Sequence, residues 1–213
     1  RLLGAIIMVH GDNNGLVLPP RVAPIQVMII PIQQQKDGVL DKAYELEQRL
    51  KAAGIRVKVD ASDKTPGWKF ADAEMRGIPL RLEIGPKDIE KGQCVLAKRL
   101  DGTKETYALN EELPNTIHQL LDQIHDEMYA KALKFRDENI RTAKTYDEFK
   151  EILNTKAGYI RMMWCEDDAC EAKIKEETGA TSRCIKEDEE PFEDVCPICG
   201  KPAKKVVYFA KAY

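Results

Sequence analysis

Two cysteine pairs in the last quarter of the sequence, Cys165-Glu-Asp-Asp-Ala-Cys170 and Cys196-Pro-Ile-Cys199-Gly200, constrain this chain more than any other feature. Four thiols at such spacings suit tetrahedral zinc, which takes its geometry from ligand packing. Gly200 allows the chain to turn tightly around a metal. With all four positions cysteine, no place is left for water, so such a zinc would be structural rather than catalytic. Unmetallated buried thiols or two disulfides are the alternatives, but no secretory pattern favours disulfides. The other two cysteines lack close partners. Cys184, in Ser182-Arg-Cys-Ile185, and Cys94 both read as buried strand residues.

The 150 or so residues before these pairs repeat a different grammar. Ile25 to Ile30 is a near-continuous apolar run, as in a central strand covered on both faces. Asp41 to Ala53 has helical spacing and stops at Gly54; Ile55 to Val59 alternates as a strand. Trp68 to Arg76 reads as a helix ended by Gly77, and Pro79 to Ile84 alternates again. Gln93 to Leu100 and Glu105 to Leu109 flank Asp101-Gly102, a strong hairpin signal. Asn110 to about Lys134 is a long amphipathic helix with Ile117, Leu121, Ile124 and Met128 on its apolar face. The order β-α-β-α-β-β-β-α predicts a three-layer α/β domain with a mixed sheet. A polar connector, Phe135 to Lys144, then leads to a short helix from Tyr146 to Leu153 and a small α/β domain that carries the cysteines.

The ends and borders are also legible. Pro19, Pro20 and Pro24 enforce an extended linker between residues 16 and 25. Arg1 to His10 is apolar after one cation, but it lacks a small-residue cleavage pattern and reads as a buried strand instead of a signal peptide. The first residue is not Met and falls within an element, which suggests a piece of a longer protein. The formal net charge of -3 argues against bulk attraction to nucleic acid or acidic membrane. An RNA reader here would have to work by specific contacts.

One stretch is rich in planar hydrogen-bonding groups at element ends: Glu74-Met-Arg-Gly-Ile-Pro-Leu-Arg81, running on to Gly85-Pro-Lys87-Asp88. Arg, Lys, Asp and Glu complement the edges of guanine in single-stranded loops. From the chemistry alone, a solvated edge with local ion pairs is the simpler reading. Lys42, Lys51, Arg56 and Lys58 form either a phosphate-contacting flank or a plain solvated face. His118 and His125 sit a heptad apart, the wrong spacing for a metal pair, and read as surface or helix-packing residues.

At these residues the sequence resembles the archaeal and eukaryotic type of proline–tRNA ligases, class II aminoacyl-tRNA synthetases. The stretches that carry the resemblance are Arg1-Leu-Leu-Gly-Ala-Ile-Ile-Met-Val-His-Gly-Asp-Asn-Asn-Gly-Leu-Val-Leu-Pro-Pro-Arg-Val-Ala-Pro24, Gly85-Pro-Lys-Asp88, the two cysteine pairs and Tyr213. The resemblance implies that residues 1–22 close a catalytic domain at its third signature motif and form a linker, with Arg1 contacting ATP. Residues 23–132 would be an anticodon-binding domain in which Glu74, Arg81, Lys87 and Asp88 read the guanines of tRNA(Pro). Residues 133–213 would be a connector helix and a zinc domain with ligands Cys165, Cys170, Cys196 and Cys199. The carboxylate of Tyr213 would reach toward the active site. It further implies ATP and Mg2+ as cofactors of a full-length cytoplasmic homodimer joined through its catalytic domain, with proline as substrate and neither membrane nor DNA as partner. This portion alone should be inactive. A sister class II ligase of threonyl type, a non-catalytic tRNA-binding paralogue and a zinc-stabilised interaction protein are the competing readings.

Overall fold

A computed structural model describes residues 1–156 and 158–212. The chain divides into two compact units, Arg1–Ala132 and Leu133–Tyr213.

The first unit is built on a five-stranded mixed sheet of order β2-β1-β3-β4-β5. Its elements are β1 (Val27–Pro31), α2 (Val39–Ala52), β2 (Val57–Val59), α3 (Pro66–Met75), β3 (Leu80–Ile84), α4 (Pro86–Glu90), β4 (Gln93–Lys98), β5 (Lys104–Ala108) and the long α5 (Leu113–Glu138), preceded by α1 (Leu2–His10). β1 runs parallel to β2 and β3, while β4 and β5 continue antiparallel. The apolar run in β1 is buried at every position because helices cover both faces. Val27 and Ile29 point into the main core with Leu46 and Leu50 of α2 and Ile117, Leu121 and Ile124 of α5. Met28 and Ile30 point the other way, toward Phe70 and Ala73 of α3. These are the three layers expected from the order of elements.

β3 differs in a way that matters for function. Leu80, Leu82 and Ile84 enter the main core, whereas Arg81 and Glu83 alternate onto the α3 face and stay partly exposed. Gly85 is the N-cap of a short helix, α4, which begins at Pro86. Asp88 fixes its start by accepting the Gly85 N–H at 3.0 Å.

The proline linker is less uniformly extended than expected. Val22 and Ala23 both donate to the Pro19 carbonyl, closing a turn. Arg56, which read as either a phosphate contact or a solvated cation, donates instead to the carbonyls of Ala23 (2.8 Å), Pro20 (2.8 Å) and Arg21 (3.2 Å). Residues 2–10 also depart from expectation: they form a helix, not a buried strand, and none of them is buried. A strand needs a neighbour to pair its N–H and C=O groups, and none is present among the described residues. A helix satisfies those groups within itself.

The second unit carries a four-stranded mixed sheet of order β6-β7-β9-β8. Its elements are β6 (Ile140–Thr142), α6 (Tyr146–Thr155), β7 (Tyr159–Trp164), α7 (Asp168–Thr178), β8 (Ala180–Ile185) and β9 (Lys205–Lys211). The segment read as a polar connector is therefore the end of α5 followed by a parallel edge strand. Phe149, Ile160, Met162, Ile174 and Phe209 form one small core, and Met163, Val206 and Tyr208 face a second that contains the cysteines. Cys184 lies in β8 as expected but is exposed, because β8 is an edge strand and its outer positions have nothing to pack against. Cys94, by contrast, is fully buried in β4. Among the described residues no helix is long and apolar enough to cross a membrane.

Candidate nucleic-acid interface and candidate metal centre

The charged end of α3 and the polar face of β3 open into a cavity of about 380 Å3 lined by Glu74, Arg81, Lys98, Arg99, Asp12 and Asn14, among others. That volume lies in the range of small-molecule sites, about 300–1,000 Å3. α3 delivers Glu74 near its C-terminus, and the alternation of β3 delivers Arg81 from below. The Arg81 guanidinium stacks 4.4 Å from the Phe70 ring centroid and donates from Nε to Glu83 Oε1 at 2.9 Å. Lys104 from β5 binds the same Glu83 carboxylate at 2.9 Å and also lies 5.0 Å from the Phe70 ring. Phe70 thus has two cations near its ring, and Arg81 is held by both a carboxylate and a ring. The local ion pairs suggested by chemistry alone do form. They orient Arg81 beside the cavity.

Glu74 is held from two sides. Asn14 Nδ2 donates to its Oε1 at 3.1 Å, and Arg99 Nε donates to its backbone carbonyl at 2.7 Å. Arg99 is almost fully buried and grips the Asp12 carboxylate with both terminal nitrogens, at 2.9 and 2.7 Å. That hydrogen-bonded pair holds the Asp12 carboxyl down at about 2. Lys87 and Asp88 do not line this cavity. They sit on α4, beyond the C-terminal end of β3, where Lys87 is exposed and Asp88 caps its own helix. Asp12, Asn14 and Arg99 were not foreseen. The turn-forming run Gly11-Asp-Asn-Asn-Gly15 was visible, but its partners lie 60 and 87 positions away. His118 Nε2 donates to the Ala53 carbonyl at 2.9 Å, a helix-packing contact.

The four expected cysteines come together in the second unit, with their sulfur atoms all within 4.8 Å of one another. Cys165 follows β7. Glu166 adopts a left-handed conformation, φ 64°, that reverses the chain, and Asp167 caps α7 by accepting the Ala169 N–H, which places Cys170 in the first helical turn. On the other side Cys196 N–H donates to Lys201 O at 2.8 Å and Gly200 N–H to Cys196 O at 2.9 Å, winding the chain around Cys199. Gly200 takes φ 71°, a conformation that only glycine adopts freely. Lys201 and Asp167 pair at 2.8 Å and tie the two halves together.

The Cys165–Cys170 and Cys165–Cys199 sulfurs lie 3.6 and 3.5 Å apart. A disulfide would need about 2.05 Å. The edge of a zinc–thiolate tetrahedron is about 3.8 Å, from a Zn–S bond of about 2.3 Å. The donor set therefore fits a tetrahedral thiophilic metal. Burial pushes the Cys165 and Cys170 thiols up, whereas the Lys201 backbone N–H brings Cys199 down to about 7. Arg1 is exposed at the head of α1, and Tyr213 lies outside the described residues.

The first unit carries an anticodon-binding type of domain and the second a C-terminal domain of the kind found in aminoacyl-tRNA synthetases, as family models describe. Residues 26–120 match "Anticodon binding domain", and residues 146–213 match "Prolyl-tRNA synthetase, C-terminal". The chain is homologous along its whole length to proline–tRNA ligases and corresponds to their C-terminal portion. It is 57% identical over 213 residues to the proline–tRNA ligase of Lachnospira eligens and 57% identical to that of Clostridium novyi. The enzyme of Clostridium botulinum strain Loch Maree is 54% identical. Each comparison covers all of this chain and 44% of the relative, so the chain spans less than half the length of the relatives it matches.

Proposed function

We propose that this chain is the tRNA-selecting portion of a proline–tRNA ligase, which activates proline with ATP and transfers it from prolyl-adenylate to tRNA(Pro). The observation that carries this reading is the cavity between α3 and β3, where Glu74 and Arg81 converge within the region similar to anticodon-binding domains. A guanine presents N1–H and N2–H donors to a carboxylate and O6 and N7 acceptors to a guanidinium. The Glu83 ion pair and the Phe70 ring hold Arg81 ready before RNA arrives, so little ordering cost remains on binding. Phe70 itself, with two cations near its ring, suits an RNA base or its neighbouring phosphate. Lys87 and Asp88 sit apart from the cavity and would contact an adjacent nucleotide of the same loop.

In this reading residues 1–22 are the end of the catalytic domain and a linker, residues 23–132 the anticodon-binding domain, and residues 133–213 a connector and zinc-binding domain. Arg1 would contact ATP, which with Mg2+ belongs to the full-length enzyme, and Tyr213 would send its carboxylate toward the active site. Cys165, Cys170, Cys196 and Cys199 would hold structural Zn2+, which as a closed thiolate site supplies folding energy and no chemistry. The parent enzyme would be a cytoplasmic homodimer joined through the catalytic domain.

The test is fluorescence anisotropy of this chain with proline tRNA and with the same tRNA carrying replaced anticodon guanines, at one salt concentration. Arg81→Ala should cost about 1–3 kcal/mol on the proline tRNA, and little on the altered one. Equal affinity of the unaltered chain for both RNAs would sink the assignment of Glu74, Arg81, Lys87 and Asp88.

A further inference from the structure

We infer that the turn Asp12–Gly15, upstream of the anticodon-binding region, belongs to the base-reading site, with Asn14 and Asp12 as positioning residues for Glu74. This inference rests on the proposed reading of guanine by Glu74. The side chain of Glu74 is oriented by the Asn14 amide at 3.1 Å, and its backbone by Arg99 at 2.7 Å. Arg99 is in turn locked by the two-pronged pair with Asp12. One four-residue turn therefore governs both the main chain and the carboxylate of the same glutamate. A free glutamate loses rotamer entropy when it grips a base, and a carboxylate already held by a neighbour loses less.

The turn is built into the unit and does not merely lie on it. Gly15 takes φ 128°, and a Cβ there would stand 2.5 Å from the Met75 carbonyl oxygen, at the C-terminus of α3. Leu16 N–H donates to Met75 O at 2.9 Å and Leu18 N–H to Gly77 O at 3.1 Å, so the strap runs along the end of the helix that presents Glu74. Asp12 and Asn14 both line the cavity in which the base would sit.

The experiment compares affinities for proline tRNA and for its guanine-replaced form by anisotropy, using the full chain and reading the ratio between them. Asn14→Ala should lower that ratio about tenfold, the size of one hydrogen bond to a charged group, with the thermal midpoint unchanged. Asn14→Asp, which sets a like charge beside Glu74, should lower it at least as much. Asp12→Asn should lower it less, since the Arg99 bond to the Glu74 carbonyl survives. A ratio unchanged in Asn14→Ala, or both RNAs weakened in parallel, overturns the positioning role. Glu74→Ala separates the two layers of the argument. If it collapses the ratio while Asn14→Ala does not, positioning alone falls; if it leaves the ratio intact, guanine reading by Glu74 falls and this inference with it.

Discussion

The two units hold mixed sheets of similar size by different means. In the first, helices on both faces of the sheet bury β1 completely, with nineteen described residues in one continuous core on the α2 and α5 face and four more on the α3 face. In the second, the described core residues split into groups of eight and six, and the smaller group includes Cys170 and Cys196. A unit of about 80 residues buries too little apolar surface to be secure alone, and a metal commonly supplies the difference. The comparison teaches that the cysteines are where apolar packing runs out. Where Met163, Ala203 and Val206 stop, thiols continue the interior.

That contrast can be broken most forcefully by removing the zinc proposed for the four thiols. Structural zinc contributes about 10–16 kcal/mol of apparent binding energy in small zinc domains. Chelation, or Cys196→Ser, should therefore abolish the thermal transition of the second unit. The first unit's transition should persist in circular dichroism and calorimetry. A single transition untouched by chelator would show that the thiols are not a staple. A smaller effect should fall on the other side. Leu82 is fully buried in β3, and Leu82→Ala should cost about 2–5 kcal/mol by the cavity it leaves. It should lower only the first unit's midpoint, and loss of both transitions together would mean that the units unfold as one.

The smallest effect is acid-dependent and sharpens the same contrast. The Asp12 carboxyl falls from 3.8 to about 2 in the folded chain, chiefly through its hydrogen bond from Arg99. Its folded pKa lies below the unfolded one, so the stabilisation is complete above about pH 4 and is lost between about pH 4 and pH 2. Asp12 is 43% exposed, so solvent screening keeps the contribution modest. Stability measured on wild type and Asp12→Asn should differ at pH 6 and converge near pH 2. With the proposed zinc bound, the second unit should fail at a higher pH, as its thiolates protonate and release the metal.

Local pattern was readable and distant partnership was not. The strands and helices around Ile25–Ile30, Ala43–Leu50 and Ile117–Met128 follow from period and punctuation, since those residues face one neighbouring layer each. The cysteine cluster was legible because its spacing is a local signature. Glu74 and Arg81 could be named as candidates from the sequence, but their common cavity arises only when α3 packs over β3. Arg99 was missed because its role depends on Asp12, 87 positions earlier, and no local rule links them. Residues 2–10 carried a strand-like apolar run, but a strand exists only with a neighbour. Cys184 shows the same limit from the other side: strand membership was right, while burial depended on β8 being an edge.

Arg56 offers a last consequence, concerning which changes this chain could absorb. Prolines contribute carbonyls without N–H groups, so a proline-rich strap is a row of acceptors in want of donors. The single fork of Arg56 reaches the carbonyls of Pro20, Arg21 and Ala23 in that strap at once. Lysine has one nitrogen on a flexible stem and cannot span them. At most surface sites the two basic residues drift into each other freely. At position 56 that exchange is closed, so the path of the strap is written in the shape of a cation and not in its charge.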